Sequence, residues 1–227
     1  MLVNVGKLMS HTSTKGGGGV KHPFNPSLVD AWFMSGLPNS DKPTQIVGVK
    51  KNELQLKNFA FTSESGFGEG AYEGALVFDG VDDYGICVGL PIMTDYTVIC
   101  RRALENNAKN VVASKSIKID NGAFIFEYGN NATCSFSEYT SIGLTINLED
   151  SVSWQTKTSY NGNTIVTGNV ADTDTLTLGV IREGNSRFLE GAIYYFALYN
   201  KSLTPEEVEE EKVKLENYWE GGKNELA

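Results

Sequence analysis

The stretch ALVFDGVDDYGICVGL at residues 75–90 decides the fold class of this chain. It begins with a short apolar run that ends at Asp79-Gly80, and glycine after aspartate is a strong turn signal. Beyond the turn, from Tyr84 to Leu90, apolar residues alternate with small or polar ones, which is typical of a half-buried strand. The stretch therefore predicts a strand, a turn that Asp79 caps, and a second strand.

A second long strand-like segment, FLEGAIYYFALYN, lies at residues 188–200. The remaining strand-like runs are short, and turn residues separate them. The sharpest turn is Asn161-Gly162, because a two-residue type I′ hairpin needs positive φ at both positions. Many short strands without interleaved helices predict an all-β, two-sheet antiparallel jelly-roll sandwich. The other predicted strands cover residues 28–33, 46–49, 54–61, 96–102, 110–115, 123–128, 133–136, 141–146, 151–156, 164–167 and 175–180.

One helix is predicted after the last strand. Thr204 is placed to cap it, proline follows at the first helical position, and Glu207 completes a capping box. Val208, Leu215 and Trp219 share one face by the 3.6-residue period, so we expect this face to pack on the sandwich. The glutamate run at residues 206–211 is interpreted as a solvated face beside the positive end of the helix dipole.

The 227 residues favour one large all-β domain over two small ones. We expect an N-terminal arm rich in glycine and proline at residues 1–27, a sandwich domain at 28–202, and an amphipathic helix with a tail at 203–227. The arm contains four consecutive glycines at residues 16–19, a composition that forms no core by itself. It is interpreted either as a flexible leader or as a segment that orders against another subunit.

Charge and cysteine content exclude several classes of function. The net charge of −9 argues against nucleic acid as a partner. No apolar run is long enough for a membrane span, and no signal peptide is visible. Cys87, Cys100 and Cys134 form no CxxC pair, so a zinc site is not expected. We expect Cys87 and Cys100 to be buried free thiols, although the sequence leaves a disulfide open.

Three segments resemble the laminin-G-like branch of the concanavalin-A-like jelly-roll superfamily, which contains lectins and glucanases. They are FDGVDDY at residues 78–84, YNG at 160–162 and GAIYYFALYNKSLTPEEV at 191–208. The resemblance spans roughly residues 28–208 and implies a sugar-binding module, an adhesion domain or a glycan-cleaving enzyme. Tyr194 departs from the pattern, since many relatives carry an acidic residue there, and this weakens the family's calcium site.

The N-terminal segments LVDAWFMSG and IVGVKKNELQLKNFAF are also similar to segments in proteins of phages or prophages of gut bacteria. This second resemblance implies a virion protein and a location outside the cell, on a cell surface or in a virion.

We expect no enzyme activity and no catalytic residue. The glucanase branch carries E-x-D-x-x-E on one strand, and this sequence has no such motif. Retaining glycosidases need two carboxyl groups about 5–5.5 Å apart. The only histidines, His11 and His22, fall in the arm, so a catalytic triad would depend on a flexible segment.

Glycan contacts usually come from exposed aromatic side chains beside polar groups. Phe67 and Tyr72 lie in a loop with four glycines, residues 63–74, and loops of this length are often functional. Trp154 is a contact candidate that can equally belong to the core. Trp32, Tyr195 and Tyr199 are assigned to the core. The predicted ligand-binding residues are Trp154, Tyr160, Tyr139, Phe67 and Tyr72.

No metal site is predicted, and calcium is the one cofactor left open. Asp172 and Asp174, two residues apart in a polar loop, are weak calcium candidates. The sequence favours a non-catalytic carbohydrate-binding or adhesion module that recognises cell-surface glycans as part of a surface or virion assembly. The alternative is a structural decoration subunit of a phage virion without a glycan ligand, anchored to other virion proteins through its arm.

Overall fold

The computed structural model describes residues 23–105, 111–118, 121–129, 132–135, 146–165, 173–181 and 187–224. These residues form fifteen β-strands and one α-helix, α1 (Pro205–Asn224). The strands are β1 (Leu28–Phe33), β2 (Gln45–Val47), β3 (Glu53–Lys57), β4 (Gly66–Phe67), β5 (Leu76–Asp79), β6 (Tyr84–Cys87), β7 (Thr97–Leu104), β8 (Val111–Lys118), β9 (Asn121–Tyr128), β10 (Ala132–Ser135), β11 (Ser151–Thr156), β12 (Ser159–Tyr160), β13 (Asn163–Thr164), β14 (Leu176–Leu178) and β15 (Glu190–Tyr199).

The strands build two antiparallel sheets. One sheet, which we call the helix-side sheet, has the order β13-β12-β11-β7-β15-β5-β4, and β1 also pairs with β15. The other sheet, the outer sheet, has the order β10-β9-β8-β14-β6-β3-β2. The prediction of an all-β antiparallel sandwich with one C-terminal helix is confirmed. The turn after Asp79 is a corner, because β5 and β6 belong to different sheets.

The main core lies between the two sheets. In β7, Val98, Cys100 and Leu104 point into this core, whereas Ile99 and Ala103 point to the other face. This alternation follows from the period-two geometry of a strand. The helix-side sheet is therefore buried on both faces, one against the outer sheet and one against α1.

A β-bulge in β15 places two successive tyrosines on the helix side. The register against β7 shifts between Ile193 and Tyr195, and Tyr194 is the extra residue. Such a bulge inserts one unpaired residue and shifts the alternation of side chains. As a result Tyr194 and Tyr195 both belong to the layer under α1, while Ile193 and Phe196 point into the core.

The helix begins as the sequence predicts. The hydroxyl of Thr204 accepts the N–H of Glu207 at 3.3 Å, and the Glu207 carboxylate accepts the N–H of Thr204 at 2.9 Å. This reciprocal pair is the predicted capping box. Val208, Leu215 and Trp219 are buried against the helix-side sheet, which confirms the predicted apolar face.

The glutamate run is not wholly solvated, and Glu211 corrects that interpretation. Its side chain is 1% exposed and accepts hydrogen bonds from the Tyr199 hydroxyl and the Asn25 N–H, both at 3.0 Å. Lys214 donates to the other oxygen at 2.6 Å. Glu211 lies on the packed face, three residues after Val208, and it ties α1 to both β15 and the segment before β1.

The strand predicted at residues 54–61 is shorter than expected. β3 ends at Lys57, because Asn58 and Phe61 adopt left-handed backbone with φ of 68° and 59°. Leu54 and Leu56 are buried, as their alternation indicates. Phe59 enters the same core as these leucines, although an unbroken strand would place it on the opposite face.

Several local predictions are confirmed within the described residues. Asn161 and Gly162 have φ of 46° and 83° between β12 and β13, which fits the predicted hairpin. Cys87 and Cys100 are buried free thiols, while the side chain of Cys134 lies outside the described part of the chain. Of the predicted arm, residues 1–22 also lie outside it. Phe24 is buried beside the rings of Phe33 and Tyr218.

Candidate functional site

The glycine loop, residues 63–74, borders a surface pocket. This pocket of about 270 Å³ lies between the loop and the segment that follows β1. We call it the loop pocket. Its lining residues are Met34, Gly36, Leu37, Pro38, Phe67, Gly68, Glu73, Gly74 and Ala75.

The Asn39 side chain holds the loop in place by pairing with its backbone, as a neighbouring strand would. Its side-chain amide donates to the carbonyl oxygen of Phe67 at 2.9 Å, and its side-chain oxygen accepts the N–H of Phe67 at 2.7 Å. A further bond runs from the same amide to the carbonyl of Thr62 at 3.3 Å. Gly66 is required here, because a Cβ at this position would lie 2.5 Å from the Asn39 oxygen.

Two aromatic groups from the helix-side layer fasten the far end of the loop. The indole N–H of Trp219 donates to the carbonyl oxygen of Gly74 at 3.2 Å. The Tyr194 hydroxyl donates to the carbonyl oxygen of Ala71 at 3.4 Å. The loop pocket is therefore largely pre-formed, which is the usual condition of a small-molecule site.

Tyr72 is half-buried, and its hydroxyl donates to the carboxylate of Glu105. This hydrogen bond, together with burial and the negative charge of Glu105, raises the pKa of Tyr72 to about 12. The phenol is thus protonated throughout the physiological range. It anchors the loop to the end of β7 and still presents part of its ring to solvent.

The structure brings together only two of the five predicted ligand-binding residues, Phe67 and Tyr72, which share the glycine loop. Phe67 is 5% exposed, so its ring forms the base of the loop pocket and does not project from the surface. Tyr139 lies outside the described residues.

Trp154 and Tyr160 are buried, so the exposure on which their assignment as glycan contacts depends is not met. Trp154 is 8% exposed and packs in the layer under the helix, opposite Ile99 of β7. Tyr160 is 3% exposed and donates its hydroxyl to Glu127 at 2.7 Å. The core assignment of Trp32, Tyr195 and Tyr199 is confirmed.

Glu127 belongs to a buried polar network that the sequence did not predict. Both its carboxylate oxygens accept hydrogen bonds from the Arg102 guanidinium at 2.6 Å, and neither side chain is exposed to solvent. Burial and the carboxylate raise the pKa of the Tyr160 phenol well above its usual value. The network joins β7 of the helix-side sheet to β9 of the outer sheet.

The residues considered for catalysis and metal binding fall mostly outside the described part of the chain. Both histidines, His11 and His22, lie outside the described residues, as does Asp172. Asp174 is exposed and accepts a hydrogen bond from the hydroxyl of Thr175 at 3.1 Å. Among the described residues, three acidic side chains converge only at the turn of Asp79, Asp82 and Asp83.

The pocket-forming residues before the loop were missed at the sequence level. Met34, Leu37 and Pro38 follow directly after β1. In the sequence, the glycine and proline at residues 36–38 indicate only that the strand pattern ends there. Glu73 was one of several charged residues in a glycine-rich stretch. Nothing in the local pattern shows that segments about thirty residues apart form one cavity.

No helix among the described residues is both long and apolar enough to cross a membrane. Comparison of the sequence with protein-family models and with curated proteins finds no match. Solved structures do resemble the fold. A Trypanosoma rangeli sialidase in complex with 2,3-difluorosialic acid gives a TM-score of 0.54 at 13% identity, covering 85% of this chain and 33% of the sialidase.

A second structure of that sialidase, with 2,3-difluoro-KDN, gives a TM-score of 0.55 at 14% identity and covers 90% and 35% of the two chains. The binding domain of botulinum neurotoxin serotype D gives 0.52 at 11% identity, covering 84% of this chain and 51% of that one. This chain thus spans about a third of the sialidase and half of the neurotoxin domain. At such identities the likeness shows the fold alone, a jelly-roll-like β-sandwich.

Proposed function

We propose that this chain is a non-catalytic carbohydrate-binding module and that the loop pocket is its glycan site. The observation that carries the proposal is the pocket itself, a pre-formed cavity whose lining combines apolar side chains with Glu73. Sugar rings offer apolar C–H faces and hydroxyl groups at their edges. Leu37 and Phe67 provide an apolar base for such a face, and the exposed carboxylate of Glu73 accepts hydrogen bonds from hydroxyls.

The rigidity of the loop supports binding. Asn39 and Trp219 hold the two ends of the loop through side-chain hydrogen bonds to its backbone. A loop that is already ordered loses little conformational entropy when a ligand binds, and this improves affinity. A site built in this way suits a modest-affinity surface module.

The lining also supports a role without catalysis. Glu73 is the one carboxylate among the nine described residues that line the pocket. Glycoside hydrolysis generally needs two carboxyl groups, separated by about 5–9.5 Å across the scissile bond. The proposal therefore favours recognition of a glycan over its cleavage.

Electrostatics narrow the ligand class to neutral glycans. None of the nine described lining residues is a lysine or arginine, and the whole chain has a net charge of −9. An anionic sugar would meet a negative field with no cation to pair with its carboxylate. We expect neutral hexose-containing glycans to bind and sialylated glycans not to bind.

The known folds lend support of a general kind. The similar structures include a receptor-binding domain of botulinum neurotoxin C/D mosaic serotype, at a TM-score of 0.51. The segments around Asp79 and Tyr199 also resemble laminin-G-like modules, whose members bind sugars or mediate adhesion. Fold by itself does not determine ligand, so the pocket remains the main argument.

A glycan array on the full chain tests the proposal. We expect selective binding of neutral glycans, a loss of at least tenfold in affinity for Glu73→Gln, and unchanged binding for Glu69→Gln. Glu69 is the matched control, because it is an exposed glutamate of the same loop that does not line the pocket.

Binding that survives Glu73→Gln would place the ligand elsewhere and refute the site. A blank array with correctly folded protein would refute the glycan ligand. It would then favour the structural virion subunit that the N-terminal arm suggests.

A further inference from the structure

The corner between the two sheets gathers three aspartates. It joins β5 in the helix-side sheet to β6 in the outer sheet. The Asp79 carboxylate shapes the turn, since its Oδ1 accepts the N–H groups of Val81 at 2.8 Å and Asp82 at 3.4 Å. This confirms Asp79 as the turn cap but accounts for only one of its two oxygens.

The spacing of the carboxylates matches the ligand sphere of calcium. One oxygen from each of Asp79, Asp82 and Asp83 lies within 4.8 Å of the other two. Two oxygens that bind one calcium ion at about 2.3–2.6 Å can be no more than about 5 Å apart. The three oxygens therefore fit within the ligand sphere of one calcium ion. Magnesium demands near-ideal octahedral geometry and usually keeps several of its waters, so a cluster of protein carboxylates suits calcium better.

Asp83 supplies independent evidence for a missing ligand. Its side chain is 1% exposed, and its Oδ1 has no hydrogen-bond partner. The other oxygen accepts the N–H of Asp79 at 3.2 Å, and the Ser65 hydroxyl also donates to this carboxylate. Buried polar atoms without a partner are rare, because desolvation without a compensating bond is costly.

Within the described residues, none of the ion pairs includes Asp79, Asp82 or Asp83. Glu190 of β15 pairs with Asp79 in register, and its Cβ approaches within 3.0 Å of the position that a Cβ on Gly80 would take. A fourth acidic residue thus lies beside the turn.

We propose that the turn at residues 79–83 is a calcium-binding site in which Asp79, Asp82 and Asp83 each supply one carboxylate oxygen. Water completes the six to eight ligands that calcium takes. The site is separate from the loop pocket, and its function is to pin the chain where it passes from one sheet to the other. It is also separate from Asp172 and Asp174.

Calorimetric titration of the full chain with calcium chloride tests the proposal. The chain is first stripped with EDTA and held at about 0.15 M KCl, so that diffuse binding to a net negative protein is screened. We expect one saturable site, a rise in melting temperature with calcium, and weaker binding of magnesium.

Asp82→Asn is the decisive variant, because Asp82 is exposed and its carboxylate makes no hydrogen bond that the turn needs. It should weaken calcium binding at least tenfold, and Asp83→Asn should abolish it. Asp174→Asn, an exposed aspartate outside the turn, is the matched control and should bind as the wild type does.

Three results would overturn the site: a wild-type chain without a saturable calcium signal, an Asp82→Asn variant with unchanged affinity, or loss of binding in Asp174→Asn. The variants are compared only where circular dichroism shows the native sheet signal. If Asp83→Asn fails to fold, the Asp82→Asn result decides.

Discussion

Replacing Glu127 by glutamine perturbs the buried ion pair that joins the two sheets. The Glu127 carboxylate accepts two hydrogen bonds of 2.6 Å from Arg102 and one of 2.7 Å from the Tyr160 hydroxyl. Arg102 also donates to the hydroxyls of Ser151 at 2.7 Å and Ser153 at 3.0 Å. Glutamine keeps the size of the side chain but removes its charge, so the guanidinium is left without a counter-ion.

The magnitude follows from complete burial, since both side chains are 0% exposed. Removing one partner of a buried pair costs about 3–5 kcal/mol of unfolding free energy, because the other charge stays desolvated. Glu127→Gln and Arg102→Met should each fall in that range. The double variant contains no buried charge and loses mainly hydrogen bonds, at about 2–4 kcal/mol. The two changes should therefore couple by about 3 kcal/mol or more.

Urea unfolding followed by tryptophan fluorescence measures these four proteins at pH 7. Asp150→Asn serves as the control, because it breaks the partly exposed Arg101–Asp150 pair. Such a surface pair should contribute less than about 1 kcal/mol. Single-variant losses of the same size as the control, or strictly additive losses in the double variant, would refute the reasoning.

Three further predictions concern stability. Removing the buried carboxylate in Glu211→Ala should lower the free energy of unfolding by about 2–3 kcal/mol, and thermal unfolding checks this; an unchanged melting temperature would contradict it. Gly179→Ala should be strongly destabilising, because the new Cβ would lie 2.4 Å from the Phe78 ring and the backbone φ is +78°. Gly221→Ala is the control and should be tolerated, because a Cβ there meets open space. Equal melting temperatures of the two variants would contradict this prediction. In calcium-free buffer, the unfolding free energy of the wild type should fall by up to about 3 kcal/mol relative to that of Asp83→Asn as the pH rises from about 4 to above 6. The reason is that the pKa of Asp83 in the folded state, about 6, exceeds its ordinary value, so protonation of Asp83 favours the folded state. Parallel pH profiles of the two proteins would contradict that prediction.

Features that depend on a few neighbouring residues could be predicted from the sequence. The capping box of Thr204 and Glu207 and the Asn161-Gly162 hairpin are set by local backbone geometry. The period-two pattern located most of the strands for the same reason. The resemblance around Asp79 supported the sandwich that the number and spacing of the short strands predicted.

The exposure of aromatic residues could not be predicted, because it depends on what covers each face of a sheet. The period-two pattern assigns Trp154 to one face of β11. The layer under α1 buries that face, just as the outer sheet buries the other. Tyr160 is buried through its bond to Glu127, a residue thirty-three positions earlier in the chain. The residues next to Tyr160 in the sequence do not indicate which distant residue it pairs with.

The same limit applies to the charged residues. Arg102 and Glu211 are charged residues, a kind usually found at the surface. Both are buried nonetheless, because residues from distant segments form hydrogen bonds with their charged groups. The loop pocket likewise depends on packing between the residues after β1 and those before β5. The sequence predicted a function for the glycine loop, but this loop forms only one wall of the cavity.

The most direct test of the central claim is a crystal structure of the full chain with the tightest-binding neutral glycan from the array. We predict a sugar ring in the loop pocket, with its apolar face on Leu37 and Phe67 and a hydroxyl donating to Glu73. A glycan bound at any other surface, with the loop pocket free of sugar, would contradict the account.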